Sequence, residues 1–100
     1  MRRVVITGIG IVSSIGTDAD SVTQSIREAK SGIVAATDYM ELGFRSQVKG
    51  AVDIDLAAHI DRKQMRFMGE GAAYAVVAMQ QAITDSGLTA AEISLSLIHI

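Results

Sequence analysis

The chain has no cysteine, no proline and no tryptophan, and aromatic residues make up only 4% of its 100 positions. Without cysteine, these residues hold no disulfide, no thiolate metal site and no cysteine nucleophile. Without proline, nothing forces a break in a helix or strand, which suits long elements over a loop-rich fold. The two histidines, His59 and His99, lie too far apart in sequence to argue for a metal cluster. A net charge of -2 gives no global attraction to nucleic acid or an anionic membrane, so any basic surface must be local. No stretch reaches the ~18 to 20 apolar residues of a membrane span. Arg2 and Arg3 before Val4, Val5 and Ile6 superficially resemble a signal peptide, but Thr7, Gly8, Gly10, Ser13 and Ser14 interrupt the apolar run. The expected location is cytoplasmic, without nucleic-acid or membrane partners.

What is present is a 49% apolar, 20% charged chain, the composition of an ordinary globular domain. Its length allows one small domain and one core. Residues Arg3 to Val12 are β-branched and apolar at nearly every position, which predicts a strand buried on both faces. After Gly16, Thr17 or Asp18 can cap a helix. Ala19, Val22, Ile26 and Ala29 fall on its apolar stripe, and Gly32 is the expected left-handed stop. From Ile33 to Leu56 the pattern weakens, with Tyr39, Leu42 and Phe44 as scattered anchors. Alternation at Val48, Gly50 and Val52 predicts one or two short antiparallel strands.

The strongest periodicity comes next. Asp61 is the expected cap, and Met65, Met68, Ala72, Val76, Met79 and Ile83 recur at steps of three or four. That spacing predicts one helix of roughly six turns with a core-facing methionine stripe. Gly69 and Gly71, beside Ala72, Ala73 and Ala75, suggest a thin-walled stretch against which something packs closely. Gly87 ends the helix, and Thr89 with Glu92 spells a capping box.

Two motifs carry functional readings. Thr7-Gly8-Ile9-Gly10 after a strand invites a dinucleotide-binding reading, but the third glycine position is Ser13 and the helix starts late, near Asp18. The acidic residue that would hold a ribose has no clear counterpart, Asp38 being the nearest. The second motif is the cation cluster Arg62, Lys63 and Arg66. At the start of a helix these cations would repel one another and oppose the dipole, at some tenths of a kcal/mol apiece. A purely structural helix would place acids there. The alternative is a solvated polar face partly relieved by Asp61.

The run RRVVITGIGIVSSIG resembles the opening of the β-ketoacyl-acyl-carrier-protein synthases, thiolase-like condensing enzymes. SIREAKSGI, FRSQVKG, IDRKQMRFM and AITDSGL continue the likeness in the family's order and spacing, from residue 1 to about 93. The IDRK-x-x-RFM pattern points to the synthase I branch. The resemblance implies an α/β fold, the N-terminal part of a truncated five-layered α-β-α-β-α architecture, with residues 1–94 in its first half. It implies a decarboxylating condensation of malonyl-carrier protein with an acyl chain, as in fatty-acid elongation, by a homodimeric acyltransferase. No cofactor is implied, since substrates arrive on the phosphopantetheine of acyl carrier protein.

In the family, a cysteine at a helix N-terminus accepts the acyl chain and two histidines assist decarboxylation. All three lie downstream of this stretch, so it carries no catalytic residue, and His59 is expected to be an exposed loop residue. Arg62, Lys63 and Arg66 match basic positions that contact the acidic carrier protein in synthase I enzymes. A non-catalytic relative that binds carrier protein without chemistry is the alternative function, with the dinucleotide module behind it.

The resemblance stops after Ile93. LSLIHI, residues 95–100, is the translation of CTGTCTCTTATACACATC, a transposon mosaic-end adapter, and is expected to be a non-native tail. The separate polypeptide is expected to be poorly soluble and catalytically inert, because its apolar N-terminal strand lacks partners.

Overall fold

The computed structural model describes residues 2–94; the expected tail at 95–100 lies outside them. The elements run α1 (Ala19–Arg27), β1 (Ile33–Ala35), α2 (Thr37–Glu41), β2 (Val48–Gly50), a 3-10 turn (Leu56–Ala58), α3 (Arg62–Met65), α4 (Glu70–Ser86) and α5 (Ala90–Ser94). This is a small mixed helix and strand unit. Its radius of gyration is 17.2 Å, against about 13 Å for a compact chain of this length. The core is correspondingly thin. Ile60, Ala73 and Val77 are its buried centre, with Val12, Ile54, Leu56, Met65, Met68 and Val76 packed around them.

The predicted strand from Val4 to Val12 does not form. A strand buried on both faces needs flanking strands to take its amides and carbonyls, and none pairs with it among the described residues. Val4 is 94% exposed and Ile6 87%. Further along, the segment lies on α4 and runs antiparallel to it. The Ile9 amide donates to Asp85 Oδ2 at 3.0 Å and the Ile11 amide to Gln81 Oε1 at 3.0 Å. Gly8 and Gly10 make this approach possible. A Cβ on Gly8 would run into the Ala82 carbonyl, and one on Gly10 into the Ala78 carbonyl one turn earlier. Gln81 also donates through Nε2 to the Thr17 carbonyl at 2.5 Å, so one side chain holds both ends of the turn between 11 and 17.

Helix α1 starts as expected. Asp18 is extended and its carboxylate accepts from the Ser21 amide at 2.7 Å. Val22 is buried, but Ile26 is 67% exposed and Ser25 takes the inner position instead. The Ser25 hydroxyl donates to the Ile15 carbonyl at 2.6 Å, which satisfies it in place. The left-handed stop falls on Ala29 (φ 53°), not on Gly32. Five residues past Ser25, the Lys30 amide returns to the Ser25 carbonyl at 2.8 Å and fixes that turn.

The irregular segment holds the expected antiparallel pair. Ile33 faces Gly50, Val34 faces Lys49, and Ala35 faces Val48. Helix α2 in the connection packs back on β2 through Tyr39, whose ring lies 5.5 Å from that of Phe44 and 5.5 Å from Lys49 Nζ. Lys49 also pairs with Asp38 at 3.4 Å, an exposed contact of little energetic weight.

The predicted six-turn helix is two helices. Gly69 is extended (φ -77°, ψ 170°) and caps α4, which then runs 17 residues to Gly87 at φ 73°. Nothing lies within 4 Å of a Cβ built on Gly69 or Gly71, so the expected close packing there is absent among the described residues. Of the methionine stripe, Met65 and Met68 pack on the core, whereas Met79 is 61% exposed. The capping box is present: the Glu92 amide donates to Thr89 Oγ1 at 3.2 Å, and the Thr89 amide to Glu92 Oε1 at 3.2 Å.

The two kinds of glycine should respond oppositely to a methyl group. Gly10→Ala must push the segment off α4 and is expected to cost about 1–3 kcal/mol. Gly71→Ala, in open space within a helix, should gain up to about 1 kcal/mol. Urea midpoints followed by circular dichroism give both, and equal shifts for the two variants would contradict the packing described.

Candidate functional site

The polypeptide enters the cation cluster from Ile60, which is buried in the core centre. The Asp61 carbonyl then accepts the Gln64 and Met65 amides, each at 3.0 Å, and closes the one turn of α3. Contrary to expectation, the Asp61 side chain makes no capping bond. The backbone goes on in tight turns: the Phe67 amide donates to the Gln64 carbonyl at 3.1 Å, and the Met68 amide to the Met65 carbonyl at 3.2 Å. Met65 and Met68 therefore point inward beside Ile60, and the residues between them point out. Arg62, Lys63, Arg66 and Phe67 are all exposed.

The structure thus brings the three predicted cations together on one short outward turn. None has a carboxylate within ion-pair distance among the described residues. The argument from the helix dipole is corrected by the geometry. Arg66 is the C-cap of a four-residue helix, where a cation is favoured rather than opposed. What marks the cluster is unneutralised positive charge on a chain of net charge -2. Phe67 is 91% exposed in the midst of it, and the motif alone assigns it no role. Its apolar character next to three cations was the available signal.

The glycine motif has no room for a phosphate. Gly8 and Gly10 are filled by α4 backbone, and the N-terminus of α1 is already capped by the Asp18 carboxylate. Asp38 pairs with Lys49 in the hairpin region. The dinucleotide reading therefore has neither cradle nor ribose acceptor. His59 follows the 3-10 turn as an exposed residue, as expected. It borders an open cleft with Ile9, Asp18, Asp20, Gln81 and Asp85. No group of three or more metal-ligating side chains occurs among the described residues, and no described helix is long and apolar enough to cross a membrane.

The comparisons with known proteins agree with the motifs. The family model for the β-ketoacyl synthase N-terminal domain matches residues 1–98. The chain belongs to the β-ketoacyl synthase family, as an N-terminal-domain sequence. It is 48% identical over 94 residues to 3-oxoacyl-[acyl-carrier-protein] synthase 1 of Haemophilus influenzae, covering 94% of this chain and 23% of that protein. Against the synthase 1 of Escherichia coli the identity is 48% over 89 residues, covering 89% and 22%. A synthase 2, from Vibrio harveyi, is 35% identical over 92 residues, covering 91% and 22%. The higher identities lie on the synthase 1 side, as the IDRK-x-x-RFM pattern implied. The chain spans less than a quarter of the length of these curated relatives.

The helix cap at Asp18 also has an electrostatic signature. Its carboxyl lies below its ordinary value of 3.8, held there by the Ser21 amide first, then by the Ser21 hydroxyl and the Asp20 amide. A carboxylate with a lowered pKa stabilises the fold fully above its unfolded value and loses that effect as pH falls through the folded value. Asp18→Ala should therefore reduce α1 helicity at neutral pH, and the difference should shrink as pH falls through the folded value and the wild-type carboxyl is protonated. An NMR titration that put the Asp18 midpoint at or above 3.8 would contradict the cap.

Proposed function

We propose that this chain is the N-terminal part of a β-ketoacyl-acyl-carrier-protein synthase of the synthase I type. Such an enzyme condenses malonyl-carrier protein with an acyl chain and releases carbon dioxide. The observation that carries the reading is the 48% identity over 94% of the chain to a 3-oxoacyl-[acyl-carrier-protein] synthase 1. Residues 1–94 then form part of the first half of a five-layered fold, in a cytoplasmic homodimer that takes its substrates from phosphopantetheine and needs no further cofactor. The nucleophilic cysteine and the two histidines belong to the remainder of such an enzyme, so this chain contributes architecture and surface rather than chemistry.

Its surface contribution is the docking of acyl carrier protein by Arg62, Lys63 and Arg66. Their exposure and their lack of carboxylate partners among the described residues support this role. An acidic partner approaching such a patch is steered over a distance set by the Debye length, about 8–10 Å at physiological salt. Exposed cations of this kind act mainly on association rate and lose influence as salt rises.

The test is a chimera in which residues 1–94 replace the matching segment of the Haemophilus influenzae synthase. It should retain condensing activity. Lys63→Glu with Arg66→Glu should weaken carrier-protein binding at least tenfold at low salt and flatten its salt dependence. Unchanged affinity with an unchanged salt slope would rule out the docking role. A folded, dimeric chimera without condensing activity would count against the enzyme assignment.

A further inference from the structure

The one large apolar side chain in the cation cluster lies almost wholly outside the packing of the described residues. Phe67 is 91% exposed, although the residues on either side of it are tied down: Met68 packs on the core, and Arg66 caps α3. The Phe67 amide is fixed by the Gln64 carbonyl at 3.1 Å, so the ring is presented from a hydrogen-bonded turn and not from a loose loop. The same turn that directs Met65 and Met68 inward directs Arg62, Lys63, Arg66 and Phe67 outward.

We infer that Phe67 is the apolar anchor of the docking surface, seated on an apolar patch of the carrier protein while the surrounding cations pair with the acidic side chains that frame it. This rests on the docking role proposed for Arg62, Lys63 and Arg66. The choice of occupant follows from charge. An aromatic ring ringed by unneutralised cations suits a partner with an apolar patch framed by carboxylates. Exposed cations give speed and orientation but little net affinity. A desolvated aromatic at the middle of a contact is the usual source of affinity, and a rim of charged residues excludes water from it. The division of labour is therefore physical. The cations carry the salt-dependent part of binding, and Phe67 carries a part that salt does not screen.

The chimeric synthase described above tests this, using holo-acyl carrier protein as the probe at low and high salt. Phe67→Ala should weaken binding about tenfold by the same factor at both salt concentrations. Arg66→Glu, measured in parallel, should weaken it mainly at low salt. Loss of binding in Arg66→Glu with none in Phe67→Ala overturns the anchor but leaves docking intact. No loss in either variant removes the docking role itself. A second measurement covers the case in which Phe67→Ala does not fold. With p-benzoylphenylalanine replacing Phe67, irradiation should cross-link the carrier protein. Cross-links confined to the synthase's own chain would mean that the rest of the enzyme covers the ring, and would overturn the inference.

Discussion

The contact of the N-terminal segment with α4, backbone against backbone, is the constraint on which the remaining arrangement depends. It exists because Gly8 and Gly10 carry no Cβ where the Ala82 and Ala78 carbonyls stand. Asp85 and Gln81 then take up the Ile9 and Ile11 amides, which have no strand partner among the described residues. Once that line is set, the turn at 13–16 is placed at the N-terminal end of α1, and Ser25 can reach the Ile15 carbonyl. Val12 reaches the core in the same way, beside Ile60 and Val77.

The outward surface follows from the inward one. Ile60, Met65 and Met68 are pinned to a centre formed with Ala73 and Val77. With those positions fixed, the short helix and the turns after it have only one face left for Arg62, Lys63, Arg66 and Phe67. The break at Gly69 matters for this reason. A continuous helix through 61–86 would have spread the cations around a cylinder and set Lys63 and Arg66 in its opening turns. Interrupting it keeps them on a separate short turn that ends before the Gly69 cap of α4.

Much of this was legible in the residues, and the failures have identifiable causes. The Asp18 cap, the Gly87 stop, the Thr89–Glu92 box and the short antiparallel pair are local. Each is decided by a few neighbouring groups, and each appears as the pattern implied. The buried strand at Val4 to Val12 depends on neighbours that residues 2–94 do not supply, and no composition can create them. Ile26 yielded the inner face of α1 to Ser25 because a hydroxyl with an acceptor at 2.6 Å outcompetes an apolar stripe that has nothing to pack on. The glycines differ from the pattern for a related reason. Periodicity does not distinguish a glycine that admits a neighbour, as at 10, from one that stands in open space at the start of a helix, as at 69. The cation cluster was visible as charge, whereas its freedom from carboxylates among the described residues emerged only in three dimensions.

Gln81 imposes a chemical requirement that its ordinary appearance conceals. Its amide group accepts from Ile11 on one side and donates to Thr17 on the other. A glutamate of the same length offers only acceptors when ionised, a lysine only donors, and a leucine neither. Asparagine has both functions but is a methylene shorter. Position 81 therefore behaves as a two-ended connector of fixed span and fixed polarity. It ties the number of residues in the turn it closes to the identity of a single side chain on a helix 64 positions away from Thr17.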